Sequence, residues 1–424
     1  MSWGANDDGE LGNDDAPNDR SEPGAVLKSG GGLLDAVLTI SAGNDHAVAL
    51  MADGTLWTWG HNSNGQLGNG DAPNGSAVAV QVLDPTGSKA FDRVVKVAAG
   101  SYHTLAIRDD GTLWAWGYDA SGQLGDGNAR SDQELPVQIL NFDGSDVLTD
   151  VVEIAAGYDH SLAMTRDGAV YAWGSNEKGQ SGVGLAGGST GLPVRVLNAT
   201  GSDPLGGVKA LAAGSWSSFA LATDGRVWSW GDNTFGQLGD GTRDPHPLPV
   251  MVRSLDGSGA LTAVKEVAAG DSHVLATLND GTPLSWGYNE HGQLGDGHMG
   301  ITRDLPAPVV TVSGPLTGVI TMAGGASHSL AVRSDGSAWS WGYDSAGQLG
   351  VGGGADRDKA AQVKAAGGFL TNVAEVATGV DGDTSYALGR TATATLRLPM
   401  ATRMATVGVA VGGASVFGID GYFI

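Results

Sequence analysis

The dipeptide Trp-Gly recurs along nearly the whole chain at an almost constant interval. Successive copies are 56, 57, 57, 57, 56 and 55 residues apart and begin at Trp3, Trp59, Trp116, Trp173, Trp230, Trp286 and Trp341. In six copies an apolar run closes on a glycine, first at Gly43, and an Asp-Gly pair follows ten residues later. Periods of this length are typical of solenoids, propellers and arrays, in which each unit buries its faces against its neighbours. The sequence therefore predicts a repeat architecture.

The second full unit shows what each repeat must be. Residues 94–107 contain two alternating runs rich in β-branched side chains, Asp110-Gly111 is a hairpin signal, and residues 112–116 alternate again. After the Gly-Gln-Leu-Gly turn at 122–125, residues 135–140 supply a fourth strand. No long helical period is present, so each unit is predicted to be a four-stranded antiparallel meander, and radial packing of such sheets makes a β-propeller.

The two ends of the chain fit a closed ring. The chain begins inside a unit, at the third strand, so the first two strands of that blade must come from the C-terminal region. One candidate is residues 373–379 followed by 385–388, which leaves a tail from Gly389. The other is residues 407–413 followed by 415–421, which would make the segment before it a degraded extra unit.

The predicted fold is an all-β, seven-bladed β-propeller of four-stranded antiparallel blades, closed by the N- and C-terminal segments. Residues 1–35 would form the N-terminal part of the closing blade, and residues 36–370 six full repeats of 55–57 residues. Residues 371–424 would be a degenerate C-terminal part that completes the ring, with or without a tail. The second closure candidate keeps an eight-bladed ring open as the alternative.

Composition excludes several classes of function. The 424 residues include 46 acidic and 23 basic side chains, a formal charge of −23, which disfavours binding to nucleic acid. Cysteine is absent, so disulfides and cysteine nucleophiles are excluded, while oxidising and reducing compartments both stay open. No run of 18 apolar residues occurs, so no membrane span is predicted. We expect a monomer that binds neither nucleic acid nor membrane, and the location stays open.

Neither the histidines nor the glycine-rich segments predict chemistry. Five histidines occupy one equivalent position in five different units, so they cannot converge on one metal ion, and each is expected to bind loop backbone groups: His46, His103, His160, His273 and His328. Residues 182–187 match a dinucleotide fingerprint and residues 187–191 a nucleophile elbow, but neither lies between a strand and a helix. The sequence therefore predicts no cofactor, no metal site and no enzymatic activity.

The tryptophan count singles out one residue. Seven of the 12 tryptophans belong to Trp-Gly pairs, and four more lie two positions before such a pair, at Trp57, Trp114, Trp228 and Trp339. Residues two apart face the same side of a strand, so both sets are predicted to pack between blades. Trp216 is the tryptophan that the repeat does not require.

One face of the propeller is predicted to bind a partner. In an antiparallel meander, the ends of the first and third strands emerge on the same face, opposite the Asp-Gly hairpins. The residues just after these strands vary among the units and are often aromatic or acidic, as a protein-binding face requires. The predicted binding residues are Trp216, Tyr102, Tyr158, Asp45, Asp159, Asp271, Tyr118, Tyr288 and Tyr343.

The repeat resembles that of a known family. Residues 99–106, Asp110-Gly111, Trp116-Gly117 and the turn at 122–125 closely resemble the repeat of the regulator of chromosome condensation family. The resemblance covers almost all of residues 1–390 and implies a seven-bladed propeller. Departures from the family pattern lie at residues 180–182, at Ser217 and after Gly379.

The resemblance also implies functions. In the family's exchange factor, acidic loop residues face a small GTPase, and Asp45, Asp159 and Asp271 match those positions. In a propeller-type β-lactamase inhibitory protein, aromatic and acidic residues of a comparable face grip the enzyme. The plant ultraviolet-B photoreceptor uses a tryptophan cluster, of which this chain has only the segment 214–218. We predict a non-catalytic protein–protein interaction module, with a guanine-nucleotide exchange factor for a small GTPase or an inhibitor of a secreted enzyme as alternatives.

Overall fold

Seven antiparallel four-stranded sheets build the molecule. The computed structural model describes residues 1–390 apart from residue 129, together with two short strands at 409–411 and 414–416. Every helix or strand in these residues is a β-strand. Within each blade the four main strands follow one another in chain order, except in the blade that combines strands from the two ends of residues 1–390. We number the blades 1 to 7 in chain order from the strand that begins at Val37, so that blade 7 is the closing blade.

The strands of each blade recur at equivalent positions. The first strands of blades 1 to 7 are Val37–Ala42, Val94–Ala99, Val151–Ala156, Val208–Ala213, Val264–Ala269, Val319–Gly324 and Val373–Thr378. The second strands are His46–Met51, His103–Arg108, His160–Thr165, Ser217–Ala222, His273–Leu278, His328–Arg333 and Thr384–Gly389. The third strands are Leu56–Gly60, Leu113–Gly117, Val170–Ser175, Val227–Gly231, Pro283–Gly287, Ala338–Gly342 and Ser2–Gly4. The fourth strands are Ser76–Gln81, Gln133–Gln138, Ser189–Arg195, His246–Met251, Arg303–Pro308, Arg357–Gln362 and Arg20–Gly24.

Short hairpins add to this pattern. They pair Val310–Thr311 with Gly314–Pro315, Lys364–Ala365 with Gly368–Phe369, and Val409–Val411 with Ala414–Val416. The first of them extends the sheet of blade 6.

The first of the two closure candidates is confirmed. The strand Ser2–Gly4 pairs with Thr384–Gly389, with Ser2 opposite Tyr386 and Gly4 opposite Thr384. The amino terminus adds a hydrogen bond of 3.0 Å to the Ala387 carbonyl oxygen. The other candidate lies largely outside the described residues, and its two described strands pair with each other in a separate sheet. Seven blades therefore close into a ring, and the last blade combines the strand Ser2–Gly4 with the strand Thr384–Gly389.

The Trp-Gly tryptophans join neighbouring blades, as predicted. All seven indole rings are fully buried. Each Nε1–H donates to the backbone carbonyl of the second residue in the Gly-Gln-Leu-Gly turn, or its equivalent at Glu10, of the preceding blade, at 2.7 to 3.0 Å. Burying the ring and satisfying its polar edge at once makes this position the main structural anchor of the repeat. The second tryptophan set is only half-buried and packs at the margins of the core clusters.

The repeated histidines bind the next blade, which corrects the predicted bond to loop backbone. Each Nε2 lies 2.9 to 3.0 Å from a hydroxyl oxygen on the second strand of the following blade, in the pairs His46–Thr104, His103–Ser161, His160–Ser218, His273–Ser329 and His328–Ser385. The serine hydroxyls themselves donate to the turn carbonyls, so the oxygens accept from Nε2–H. Burial lowers the pKa of the five imidazoles to about 3 or 4, and they are neutral at physiological pH.

The two blades without the histidine have also lost its partner. Ser217 replaces the histidine in blade 4, and Val274 occupies the hydroxyl position of blade 5. Thr384 replaces it in blade 7, and Ala47 occupies the hydroxyl position of blade 1. An imidazole N–H buried at either junction without the hydroxyl would have no acceptor, so the joint absence of both members leaves no unpaired donor. The glycine that recurs just after the first strand, such as Gly100, makes room for the histidine. A Cβ at Gly100 would overlap the His103 ring.

A sixth histidine–hydroxyl pair, introduced between blades 4 and 5, tests this explanation. We expect Ser217→His and Val274→Ser to destabilise the protein singly, because each leaves a buried polar group unpaired or a cavity. Together they should recover stability, with a coupling of about 1 kcal/mol in a double-mutant cycle. Urea unfolding of the four proteins measures this coupling, and strictly additive effects would contradict the proposed pair.

The first strands line a narrow central channel. Its cavity of about 110 Å³ is lined mainly by small and apolar residues of all seven first strands. The third residues of these strands form three polar contacts between adjacent blades, Thr39–Glu375, Lys96–Glu153 and Glu266–Thr321. Because the ring has seven of these third-residue positions, one is left over when the others form pairs. That position, in blade 4, holds the apolar Ala210.

Candidate partner-binding face

Backbone hydrogen bonds hold the loops of the predicted face together around the channel mouth. The loops after the first strands of blades 1 to 6 each bond to the corresponding loop of the next blade through N–H to O contacts of 3.0 to 3.3 Å, from Asn44 to Ser101, Ser101 to Gly157, Tyr158 to Ser215, Ser215 to Asp271, Asp271 to Gly325 and Ala326 to Gly382. Side chains on this belt therefore have a fixed backbone beneath them. Such a surface loses little entropy when it binds a partner.

Four of the predicted binding residues form one continuous aromatic surface. The ring centroids of Tyr118 and Tyr102 are 6.2 Å apart and those of Tyr102 and Tyr158 are 5.7 Å apart, both edge to face. Tyr158 stacks on Trp216 at 5.4 Å with an interplanar angle of 21°. All four side chains are half-buried and come from the adjacent blades 2, 3 and 4. We call Tyr118, Tyr102, Tyr158 and Trp216 the aromatic strip.

The other two predicted tyrosines lie apart from the strip, in pairs that the sequence did not reveal. Tyr288 packs against Phe235 at 4.6 Å, and Tyr343 packs against His291 at 4.5 Å. Phe235 and His291 both occupy the variable position just before the first glycine of the Gly-Gln-Leu-Gly turn. Variation at that position was the signal that could have identified them.

The three predicted aspartates are half-buried in hydrogen-bonded positions. Asn44 donates its amide to Asp45 at 2.9 Å and to the Tyr102 hydroxyl at 2.8 Å, which ties the first carboxylate to the strip. Gln123 donates to Asp159 at 3.1 Å, and the Ser272 hydroxyl donates to Asp271 at 3.3 Å. Burial raises the pKa of both Asp45 and Asp159 to about 6, and it raises that of Asp271 as well.

A fourth carboxylate, Asp381, was missed by sequence reasoning. The loop of blade 7 has four residues between Gly379 and Thr384, where the regular blades have two, and its Val380 lines the channel. Burial, together with repulsion from Asp271 and Asp45 on blades 5 and 1, raises the pKa of Asp381 to about 7. Its neighbours place Asp381 at the channel mouth beside the loop of blade 1, because Val380 lines the channel and a Cβ at Gly382 would come within 2.8 Å of the Asn44 carbonyl oxygen. The break in repeat register after Gly379 was the available signal.

The charge on Asp381 should cost stability. Its folded-state pKa of about 7 lies above the ordinary value of 3.8, so the fold disfavours the ionised form, and the penalty is present above pH 7 and relieved as the pH falls. We expect Asp381→Asn to raise the melting temperature by about 2 °C or more at pH 8 and to have a clearly smaller effect at pH 5, because the penalty fades as the pH falls from 7 toward 3.8. Thermal unfolding at both pH values measures this, with the exposed Asp244→Asn as control. An equal effect at both values would contradict the assignment.

Among the described residues, no three histidine, aspartate or glutamate side chains are arranged to hold a metal ion. In the same part of the chain, no helix has the length and apolar character needed to cross a membrane.

Comparison with known proteins identifies the family. The family model described as RCC1-like domain matches residues 1–383, which is most of the chain. The chain belongs to this family. The RCC1-like repeat, its seven blades and its closing sheet thus agree with the resemblance seen in the sequence.

Named relatives of this RCC1-like domain include receptors and regulators. It is 33% identical over 331 residues to the Ultraviolet-B receptor UVR8 of Arabidopsis thaliana, a match that covers 77% of this chain and 70% of that protein. It is 29% identical over 365 residues to the Regulator of chromosome condensation of Xenopus laevis, covering 83% and 81%. The solved structure of Prp20p from Saccharomyces cerevisiae, described with its binding to Gsp1p and histones, matches with a TM-score of 0.72 and 24% identity over 93% of this chain and 92% of that one. At this identity the structural likeness shows the fold alone.

Proposed function

We propose that this RCC1-like domain is a protein-binding module without catalytic activity, and that its partner docks on the face that carries the aromatic strip. The observation that supports the proposal is the strip itself. Four rings from three adjacent blades stand side by side on loops that are bonded to one another. Tyrosine and tryptophan are the residues most enriched at binding hot spots, because they supply large contact areas at a small cost in side-chain entropy.

Trp216 is the proposed anchor of this surface. Its indole is half-buried and stacked on Tyr158, whereas the Trp-Gly tryptophans are fully enclosed between blades. Within the described residues, the Trp216 Nε1–H donates no hydrogen bond, unlike the Nε1–H groups of the Trp-Gly tryptophans. This donor is therefore available to a partner. The flanking carboxylates Asp45, Asp159 and Asp271 would form the polar rim and mainly affect the rate of association.

Two structures of one similar protein support partner binding. Prp20p is described as binding Gsp1p and histones, and a second structure of the same yeast protein shows it bound to Kap60. These partners belong to Prp20p. For this chain they support a binding role in general, and a small GTPase recovered as its partner would call for a nucleotide-release assay.

Affinity capture from the native host tests the proposal. The full chain and the Tyr158→Ala/Trp216→Ala variant serve as baits in parallel, and bound proteins are identified by mass spectrometry. The matched control is Phe142→Ala, which removes a ring that is 67% exposed on a hairpin after the fourth strand, outside the face. We expect a protein that the full chain and Phe142→Ala retain and the double variant loses. Equal recovery by all three baits would refute the assignment of the face.

A further inference from the structure

Resting on that proposed function, we propose that the partner presents a basic side chain, an arginine or a lysine, to the aromatic strip beside the carboxylates of Asp45 and Asp381. The strip identifies where a partner docks. The charges around it identify what kind of side chain the partner brings.

The ring geometry suits a cation. Tyr102 meets Tyr118 and Tyr158 edge to face, at interplanar angles of 77° and 89°, so the rings expose differently oriented π faces within one small area. The face of an aromatic ring carries the negative part of its quadrupole and attracts an ammonium or guanidinium group placed within about 6 Å of the centroid. A planar guanidinium can also stack on Trp216.

Acidic groups surround the same rings. Asp45 is connected to the Tyr102 hydroxyl through the Asn44 amide, and Asp159 follows Tyr158 directly in the chain. The negative charges of Asp45 and Asp381 disfavour ionisation of Tyr102 and help to raise its pKa, while those of Asp159 and Asp381 do the same for Tyr158. The potential at the strip is therefore negative, and an approaching cation would be stabilised by rings and carboxylates together.

The cation–π contacts of the described residues lie away from the strip. Within the described residues, arginine side chains lie over Phe91, Trp114, Tyr171 and Trp339, and none lies over a ring of the strip. The nearby His61 lowers the pKa of Asp45, yet burial still holds that pKa at about 6. The repulsion among these carboxylates is thus incompletely balanced from within, and a basic side chain from outside would balance it.

The net charge selects the same class of partner. A chain with a formal charge of −23 repels a second copy of itself and other acidic proteins, and it accelerates association with a basic surface. Self-association through this face is accordingly the less favourable alternative.

A peptide selection tests the inference with a defined probe. Short random peptides displayed on phage are selected on the full chain and then depleted on Tyr158→Ala/Trp216→Ala. A second depletion uses the variant Asp45→Asn/Asp381→Asn, which keeps all four rings. It replaces the first variant if that variant does not fold. Phe142→Ala is the control that must retain the selected peptides.

The outcomes separate the inference from the proposed function. We expect face-dependent peptides to be enriched in arginine and lysine, and to lose at least tenfold in affinity when citrulline or norleucine replaces the basic residue. Face-dependent peptides without basic residues, or with unchanged affinity after the neutral replacement, would overturn the inference and leave the proposed function standing. If no peptide distinguishes the full chain from either variant, both the inference and the proposed function fail.

Discussion

Removing residues 1–12 should unfold or aggregate the protein at temperatures at which the full chain is native. These residues contain the third strand of blade 7, so their loss leaves the strand Thr384–Gly389 with an open edge. Trp3 goes with them, a fully buried ring that donates to the Gln348 carbonyl at 2.9 Å. The Glu10 carbonyl is lost as well, and it accepts from both Trp59 Nε1 and the Tyr386 hydroxyl at 2.7 Å.

The cost should exceed that of any single substitution, because loss of a buried aromatic side chain alone typically costs about 3 to 5 kcal/mol. Thermal unfolding and size-exclusion chromatography with light scattering measure the effect. The control is removal of residues 391–424, whose two described strands pair with each other in a sheet separate from the closing one, and we expect melting to stay unchanged within about 2 °C. A truncated N terminus that leaves the protein monodisperse with an unchanged melting temperature would show that closure does not depend on this segment.

Trp230→Ala should destabilise the protein by about 3 to 5 kcal/mol. The ring is fully buried in the core between blades 3 and 4 and donates to the Gln180 carbonyl at 2.8 Å. The turn of blade 3 is shaped around it, because a Cβ at Gly182 would come within 2.9 Å of its Nε1. Urea unfolding measures the loss.

Trp216→Ala is the matched control for Trp230→Ala, since it removes the same side chain from the half-buried strip. We expect it to cost about 1 kcal/mol or less, as surface substitutions usually do. Comparable losses for the two variants would mean that Trp216 is a structural residue.

The architecture was predictable because it depends on patterns within one repeat. Alternation, the Asp-Gly hairpin and the Trp-Gly pair set the pairing of neighbouring strands, and the observed fourth strand Gln133–Gln138 lies two residues before the predicted 135–140. The third-strand start of the chain likewise indicated closure by its ends. Strand register is a local property, so a single sequence carries it.

Contacts between blades were harder to predict. The hydroxyl partner of His103 is 58 residues further along the chain, on the next blade. Only the packing of neighbouring blades brings the two side chains together. The strip residues were each predicted, but their continuity depends on how far adjacent blades rotate. Asp381 was missed because an insertion moved it out of the register that guided the search. The assignment of the face therefore depends on geometry that the repeat alone does not encode.

The affinity of the captured partner for Trp216→Ala tests the central claim most directly. The account predicts a variant that melts close to the full chain yet binds the partner at least about 2 kcal/mol more weakly, roughly a 30-fold rise in Kd. Calorimetric titration of the partner against the full chain, Trp216→Ala and Phe142→Ala provides the comparison. Unchanged affinity for a folded Trp216→Ala variant would show that the partner does not use the aromatic strip.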